Sequence, residues 1–256
     1  MSVAILEATG VSKAFGGVQA VNDVSIAVAQ GAIHAVIGPN GAGKTTFFNT
    51  ISGFYLPDRG VVKFQDVEVT RVPNWQRIGR GMSRTFQTPS VFPDLSVSEN
   101  IRIGVAAKAG VAFDLRPPRG VRAREMAAKI DELLGFVNLT AVKDRPVAEL
   151  SHGSQRLCEI AMSLSTDPEL VLLDEPMAGL AEAETARIIS VIRDLHDRLG
   201  LTVLFVEHNM RVVLSLADTI TVLDRGRKLA EGTPSEIAAN ETVKEAYLGK
   251  AIIEHV

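Results

Sequence analysis

Gly38-Pro39-Asn40-Gly41-Ala42-Gly43-Lys44-Thr45-Thr46 matches the pattern G-x-x-x-x-G-K-[ST], with Gly38, Gly43, Lys44 and Thr45 at its fixed positions. The flanks agree with it. Ala32-Ile33-His34-Ala35-Val36-Ile37 is a short apolar run that predicts a buried strand, and Thr45 to Ile51 predicts a short helix closed by Ser52-Gly53. Strand, glycine-rich loop and helix, in that order, set a helix N-terminus and a row of backbone N–H groups around a phosphate. Glycines let the backbone wrap closely because no Cβ intervenes. Lys44 can reach terminal phosphates, and the Thr45 hydroxyl can ligand Mg²⁺. An ordinary glycine-rich turn explains neither the Lys-Thr pair in register nor the strand in front. The stretch implies a nucleoside triphosphate site.

Composition narrows the setting. With 256 residues, 46% of them hydrophobic, the chain can build one large domain or a core with an inserted lobe. A formal net charge of −3 provides no global basic field for nucleic acid. The single cysteine, Cys158, excludes an internal disulfide framework and fits a reducing compartment. It reads as a small buried helix residue, not a nucleophile. No uninterrupted apolar run approaches the roughly 20 residues needed to cross a bilayer. The N-terminus has no positive region and meets an acid at Glu7, so it does not read as a signal peptide. The expectation is a soluble, cytoplasmic protein that other chains hold at any membrane where it works.

Along the chain, Val18 to Val28 reads as strand before the turn at Gln30-Gly31, and Val61 to Phe64 as strand after Asp58-Arg59-Gly60. From Ser96 to about Ser165 the pattern is mainly helical, with Met126, Ile130, Leu133, Leu134 and Val137 on one face. Arg116-Pro117-Pro118-Arg119-Gly120 interrupts it as a loop, and its arginines, with Arg122 and Arg124, read as a solvated face. The α/β pattern then returns. Leu170 to Leu173 is a buried strand ending in Asp174-Glu175-Pro176. Ile188, Val191, Ile192, Leu195 and Leu199 form one helical stripe capped at Gly200. Leu201 to Val206 is the next strand, Thr219 to Leu223 and Lys228 to Glu231 form a hairpin, and Thr233-Pro234-Ser235-Glu236 is a capping box. These elements describe a discontinuous α/β core with a helical lobe between its halves.

A phosphate loop needs an acidic strand end to complete a metal site. The strand at Leu170 buries its apolar residues and leaves the Asp174 carboxylate at the tip, where it can hold Mg²⁺ opposite Thr45. Glu175 points elsewhere and can orient or deprotonate an attacking water. An Asp-Glu pair after a strand is often only a turn, but the phosphate loop favours the functional reading.

With these residues in place, the chain resembles the ATP-binding subunit of an ABC transporter over nearly its whole length. Phe15 stands where that family places an aromatic on adenine, and all of 38–46 where it cradles phosphate. Gln87, in Thr85-Phe86-Gln87-Thr88, matches the glutamine that links metal site and helical lobe. Leu150-Ser151-His152-Gly153-Ser154-Gln155 matches the signature segment, and His208 the switch histidine. The resemblance implies an α/β P-loop NTPase (RecA-like) core, residues 1–95 and 160–256. It also implies an antiparallel β subdomain and an inserted α-helical subdomain, residues 96–159. Two such subunits pack head to tail around two ATP molecules, with Mg²⁺ on Thr45, Gln87 and Asp174. Ser151 and the Gly153 backbone then meet the γ-phosphate held by the partner's loop, as a helix N-terminus can. A lone subunit is expected to be a poor ATPase.

Departures from the family pattern point to one branch. His152 and Ser154 replace a glycine and a glutamine of the signature, and Ala181 stands where many relatives have aspartate. Glu159-Ile160-Ala161, Asp-Glu-Pro-x-Ala-Gly and the ending Ala246-Tyr247-Leu248-Gly249 are similar to uptake systems for branched-chain amino acids and their urea and amide relatives. A lipopolysaccharide-export ATPase is a near neighbour. The branch implies permease subunits, a second ATPase and, indirectly, an extracytoplasmic solute-binding protein. It places the chain peripherally on the cytoplasmic face of the inner (plasma) membrane. Two rivals, a soluble ABC ATPase and a phosphate-loop kinase, lack support: there is no long coiled-coil insertion, no second cassette and no acceptor-binding motif. His34 reads as a satisfied interior histidine, His196 as solvated and Trp75 as packed; His152 suits either the dimer seam or local packing.

Overall fold

Two long strands, β1 (Ala4–Phe15) and β2 (Val18–Ala29), open the chain as a hairpin. They are followed by β3 (Ile33–Ile37), α1 (Lys44–Ile51), β4 (Arg59–Phe64), β5 (Val67–Glu68), α2 (Asn74–Ile78) and β6 (Met82–Arg84). The helical stretch contains α3 (Val97–Lys108), α4 (Val121–Phe136) and α5 (His152–Leu164). Then come β7 (Leu170–Asp174), α6 (Glu182–Leu199), β8 (Thr202–Val206), α7 (Met210–Leu216), β9 (Thr219–Asp224), β10 (Arg227–Gly232), α8 (Pro234–Ala239) and α9 (Glu241–Ala251). The computed structural model describes residues 3–85, 90–111 and 119–251.

The strands form two sheets. An antiparallel one has the order β2-β1-β4-β5; the other runs β10-β9-β3-β8-β7-β6, parallel except for the β9–β10 hairpin. Every residue of β3, β7 and β8 is buried, which is why each reads as a continuous apolar run. Successive side chains leave a strand on opposite faces. Ile33, Ala35, Ile37, Val171, Leu173, Val203 and Phe205 accordingly enter one core with α3 to α7. Val36, Leu170, Leu172, Leu204 and Val206 enter a second core with β1, β2, β4 and α1. Within the second, Phe47 and Phe48 are fully buried, each contributing about 1.5–3 kcal/mol by leaving water.

Local signals act where expected. Ser96 and Glu99 form a capping box at α3, Thr233 and Glu236 another at α8, and Gly200 ends α6 in the left-handed conformation. Met126, Leu133, Leu134 and Val137 are buried, with Ile130 packed beside them. Cys158 is sealed in α5, where burial pushes its thiol up to about 12. Arg119, Arg122 and Arg124 are exposed, while Arg116 lies outside the described residues. Three expectations are corrected. Leu199 of the predicted stripe is exposed at the last residue of α6, while Ile188, Val191, Ile192 and Leu195 are buried. Trp75 is 66% exposed at the start of α2, which is too short to bury it. His196 is half-buried, its Nδ1 3.3 Å from the Leu201 carbonyl, because the chain folds back at Gly200. Among the described residues no helix is long and apolar enough to cross a membrane.

Candidate nucleotide-binding site

The loop between β3 and α1 is shaped from outside itself. Gly43 has φ +94, and a Cβ there would lie 2.3 Å from the Ala20 carbonyl of β2. A Cβ on Gly38 would lie 2.2 Å from the Leu223 carbonyl of β9. Only glycine fits either approach. The Gly226 N–H donates to the Ala42 carbonyl at 3.0 Å, and the Asn22 N–H to the Gly226 carbonyl at 2.7 Å, so the β9–β10 turn braces the loop against β2. Lys44 is buried, with Nζ donating to the carbonyls of Gly38 at 2.7 Å and Pro39 at 3.1 Å. Thr45 is exposed at the first turn of α1, next to the half-buried Thr46; Asn40 and Gly41 are exposed at the loop's tip.

Register brings the acids to this loop. Val36 of β3 and Asp174 of β7 both pair with Val206 of β8, so the strand ends stand level, about 10 Å apart across two strand spacings. This crevice at the carboxyl ends of parallel strands is where open α/β sheets bind ligands. Asp174 is buried, and its Oδ2 accepts from Arg84 Nη2 at 2.8 Å. Burial holds the Asp174 carboxyl above its usual range, Arg84 opposes that shift, and Glu175 adds to it. Glu175 follows in a left-handed conformation, φ +45, its N–H donating to the Val206 carbonyl at 3.0 Å. His208 is exposed two residues beyond β8. The buried Glu207 carboxylate beside it accepts from the N–H groups of Met177 at 3.0 Å and His208 at 3.2 Å. Gln87 lies outside the described residues.

The remaining predicted residues form two further groups. Phe15 ends β1 half-exposed, edge-on to Tyr55 with ring centroids 5.3 Å apart, and Lys13 Nζ lies 5.5 Å from its ring. Ser151 is the N-cap of α5, accepting from the Ser154 N–H at 3.3 Å. The Gly153 N–H donates to Glu184 Oε1 at 3.2 Å. Bonds from the Ser151 hydroxyl and the Gly153 N–H hold the Glu184 carboxyl below its usual range. His152 is exposed beside them.

Several residues of the site carry no sequence signal. Arg84 is stacked between Phe48 and Phe54, at 5.0 and 4.9 Å, while bonding Ser52 Oγ and Asp174. Tyr247, read in the sequence only as a branch marker, buries its hydroxyl against the backbone of Gly38. Burial pushes that hydroxyl up to about 12. Glu207 and Glu184 likewise show their roles only in three dimensions.

Thr45 and Asp174 offer hard oxygen ligands, which suit Mg²⁺. Among the described residues no cluster of three or more His, Cys, Asp or Glu side chains could hold a metal alone. Thr45 and Asp174 fit Mg²⁺, which is commonly held by one or two carboxylates with phosphate and water in its remaining positions.

Residues 21–178, which contain the phosphate loop, the Ser151 segment and the Asp174-Glu175 pair, match the ABC transporter family. The chain belongs to the ABC transporter family. Residues 227–252 of this ABC transporter ATPase also match the family described as branched-chain amino acid ATP-binding cassette transporter. The ATPase is 38% identical over 255 residues to the high-affinity branched-chain amino acid transport ATP-binding protein BraF of Pseudomonas aeruginosa, covering 98% of this chain and 100% of that one. It is 37% identical over the same lengths to LivG of Escherichia coli, described in the same words. Among solved structures, the ADP conformation of an ATP-binding cassette of an ABC transporter superposes with a TM-score of 0.86 at 33% identity, covering 97% of this chain and 100% of that one. The α/β core with its antiparallel sheet and interposed helices is thus the ABC ATPase fold, and the chain is a nucleotide-binding ATP hydrolase.

Proposed function

We propose that this ATPase energises uptake of branched-chain or related amino acids through separate permease subunits, paired head to tail with a second ABC ATPase. In this reading it sits peripherally on the cytoplasmic face of the inner membrane, and an extracytoplasmic binding protein supplies the solute. One observation carries the reading: likeness to branched-chain amino acid transport ATPases runs from end to end, including the C-terminal stretch at 227–252. We also propose that residues 96–159 act as a lobe against 1–95 and 160–256, although α5 runs on through residue 160.

The residue roles follow from chemistry. Lys44 leaves the Gly38 and Pro39 carbonyls for the phosphates, while the N–H groups of the loop cradle them. Thr45, Asp174 and Gln87 would hold Mg²⁺, which would supply positive charge to offset the negative charge developing on the phosphoryl group. Glu175 orients water and takes its proton. His208 and Gln87 respond to the γ-phosphate, and Phe15 stacks on adenine. Ser151 and Gly153 complete the partner's site, displacing Glu184 from the Gly153 N–H. Two ATP molecules close the dimer, and hydrolysis reopens it.

The test is recovery of tagged Glu175→Gln from native membranes in detergent with Mg-ATP, followed by mass spectrometry and by uptake assays in a strain lacking this chain. Polytopic permease chains and lost branched-chain amino acid uptake are expected. Soluble partners alone, or unchanged uptake, would sink the transport reading.

A further inference from the structure

Arg156 and Glu159 lie one turn apart on α5, both sealed from water, with Arg156 Nη1 2.6 Å from Glu159 Oε2. A buried ion pair is poor value for stability, because well-packed apolar residues of the same volume hold a fold as well. What this pair offers is its outward bonds. Arg156 Nη2 donates to the Glu175 carbonyl at 3.4 Å, and Glu159 Oε1 accepts from the Ser90 N–H at 3.3 Å. The pair therefore joins α5, which carries Ser151 and Gly153 at its N-terminus, to the acid that follows β7.

Glu175 needs such support. Its φ of +45 is left-handed, a conformation disfavoured for any residue with a Cβ and retained only when the surroundings over-determine it. Its N–H is fixed on Val206, and its carbonyl accepts from the Ala178 N–H at 3.1 Å as well as from Arg156. Peptide orientation on both sides of the residue sets the direction of its Cα–Cβ bond, and with it the positions its staggered rotamers can give the carboxylate. We propose that Arg156 is a positioning residue: it holds Glu175 left-handed and aims its carboxylate, and Glu159 holds Arg156 in turn. The inference rests on the reading of Glu175 as the group that orients water. Because Arg156 rides on α5, a shift of that helix when Ser151 engages the partner's nucleotide re-aims the acid of the same subunit.

The test compares Arg156→Met/Glu159→Leu, Arg156→Lys and Glu175→Gln in the full-length chain, each in the complex with which it co-purifies. The apolar pair preserves volume and fold, and the lysine keeps the charge but loses the planar fork that serves two acceptors. Both are expected to bind a fluorescent ATP analogue within about twofold of the parent. Both should lose at least about tenfold in single-turnover hydrolysis, and both should accumulate an ATP-bound dimer as Glu175→Gln does. Parental turnover in either folded variant, or a defect confined to KM, overturns the inference. Parental turnover in Glu175→Gln overturns the reading of Glu175 itself, and the inference with it.

Discussion

The Glu184 carboxylate of α6 accepts a hydrogen bond at 3.2 Å from the Gly153 N–H of α5. A Cβ at position 153 would lie 2.8 Å from Glu184 Oε1 and 2.9 Å from its Cβ. Gly153→Ala must therefore push α5 and α6 apart where the partner's phosphate is proposed to dock. The expected result is loss of ATP-driven dimerisation on a sizing column, with unchanged ATP affinity in the monomer. Ser151→Ala should show the same split, plus about 1 kcal/mol of lost stability from the missing N-cap. A large loss of monomer affinity in either variant would mean that the segment acts in cis.

Lys44 spans two loop carbonyls from a buried position. Lys44→Ala removes a charged donor worth about 3 kcal/mol on a phosphate, roughly a hundredfold in ATP affinity. Isothermal titration with ATP measures this directly. Unchanged affinity would discredit the phosphate-loop assignment.

Arg84 opposes the upward pull of burial on the Asp174 carboxyl. Arg84→Met keeps the stack between Phe48 and Phe54 and removes the charge, so Asp174 is expected to bind its proton at higher pH. The acid limb of the pH profile of ATP hydrolysis should move upward relative to the parent. A profile that stays in place rejects this electrostatic role.

His34, buried in β3, bonds through Nε2 to Thr221 Oγ1 at 2.8 Å, and Thr221 donates to Glu231. Burial lowers its pKa from 6.5 to about 4. Above 6.5 the ring is neutral in folded and unfolded chains alike; as pH falls toward 4 only the unfolded chain gains the proton, so stability falls. By pH ~5 the loss is about 2 kcal/mol. His34→Gln, which cannot take the proton, should lose less stability than the parent between pH ~7 and ~5 in urea unfolding. Parallel losses would show that His34 does not titrate this way.

Continuous apolar runs made β3, β7 and β8 legible, because strands buried on both faces need nothing else. The glycine loop was legible because its close approaches to Ala20 and Leu223 exclude every other residue. β1 was not. Register shifts between Ala8 and Val11 and again between Val11 and Ala14 break the alternation that marks a strand. Arg84, Arg156 and Glu184 were silent because their partners lie elsewhere in the chain, at Asp174, Glu175 and Gly153. An arginine before a loop looks solvated until the fold closes around it. Trp75 misled in the opposite sense, since an aromatic carries no sign of which face of a five-residue helix it will take.

The phosphate loop at 38–46 is held by Ala20 on one side and by Leu223 and Gly226 on the other, and β3 pairs with β8 and β9. The glycine sequence is thus shaped by segments on both sides of it in the chain, β2 before it and the β9–β10 turn far after it. A chain that stops short of residue 226 keeps the whole glycine sequence and the Ala20 contact but lacks the Gly226 N–H that bonds the Ala42 carbonyl.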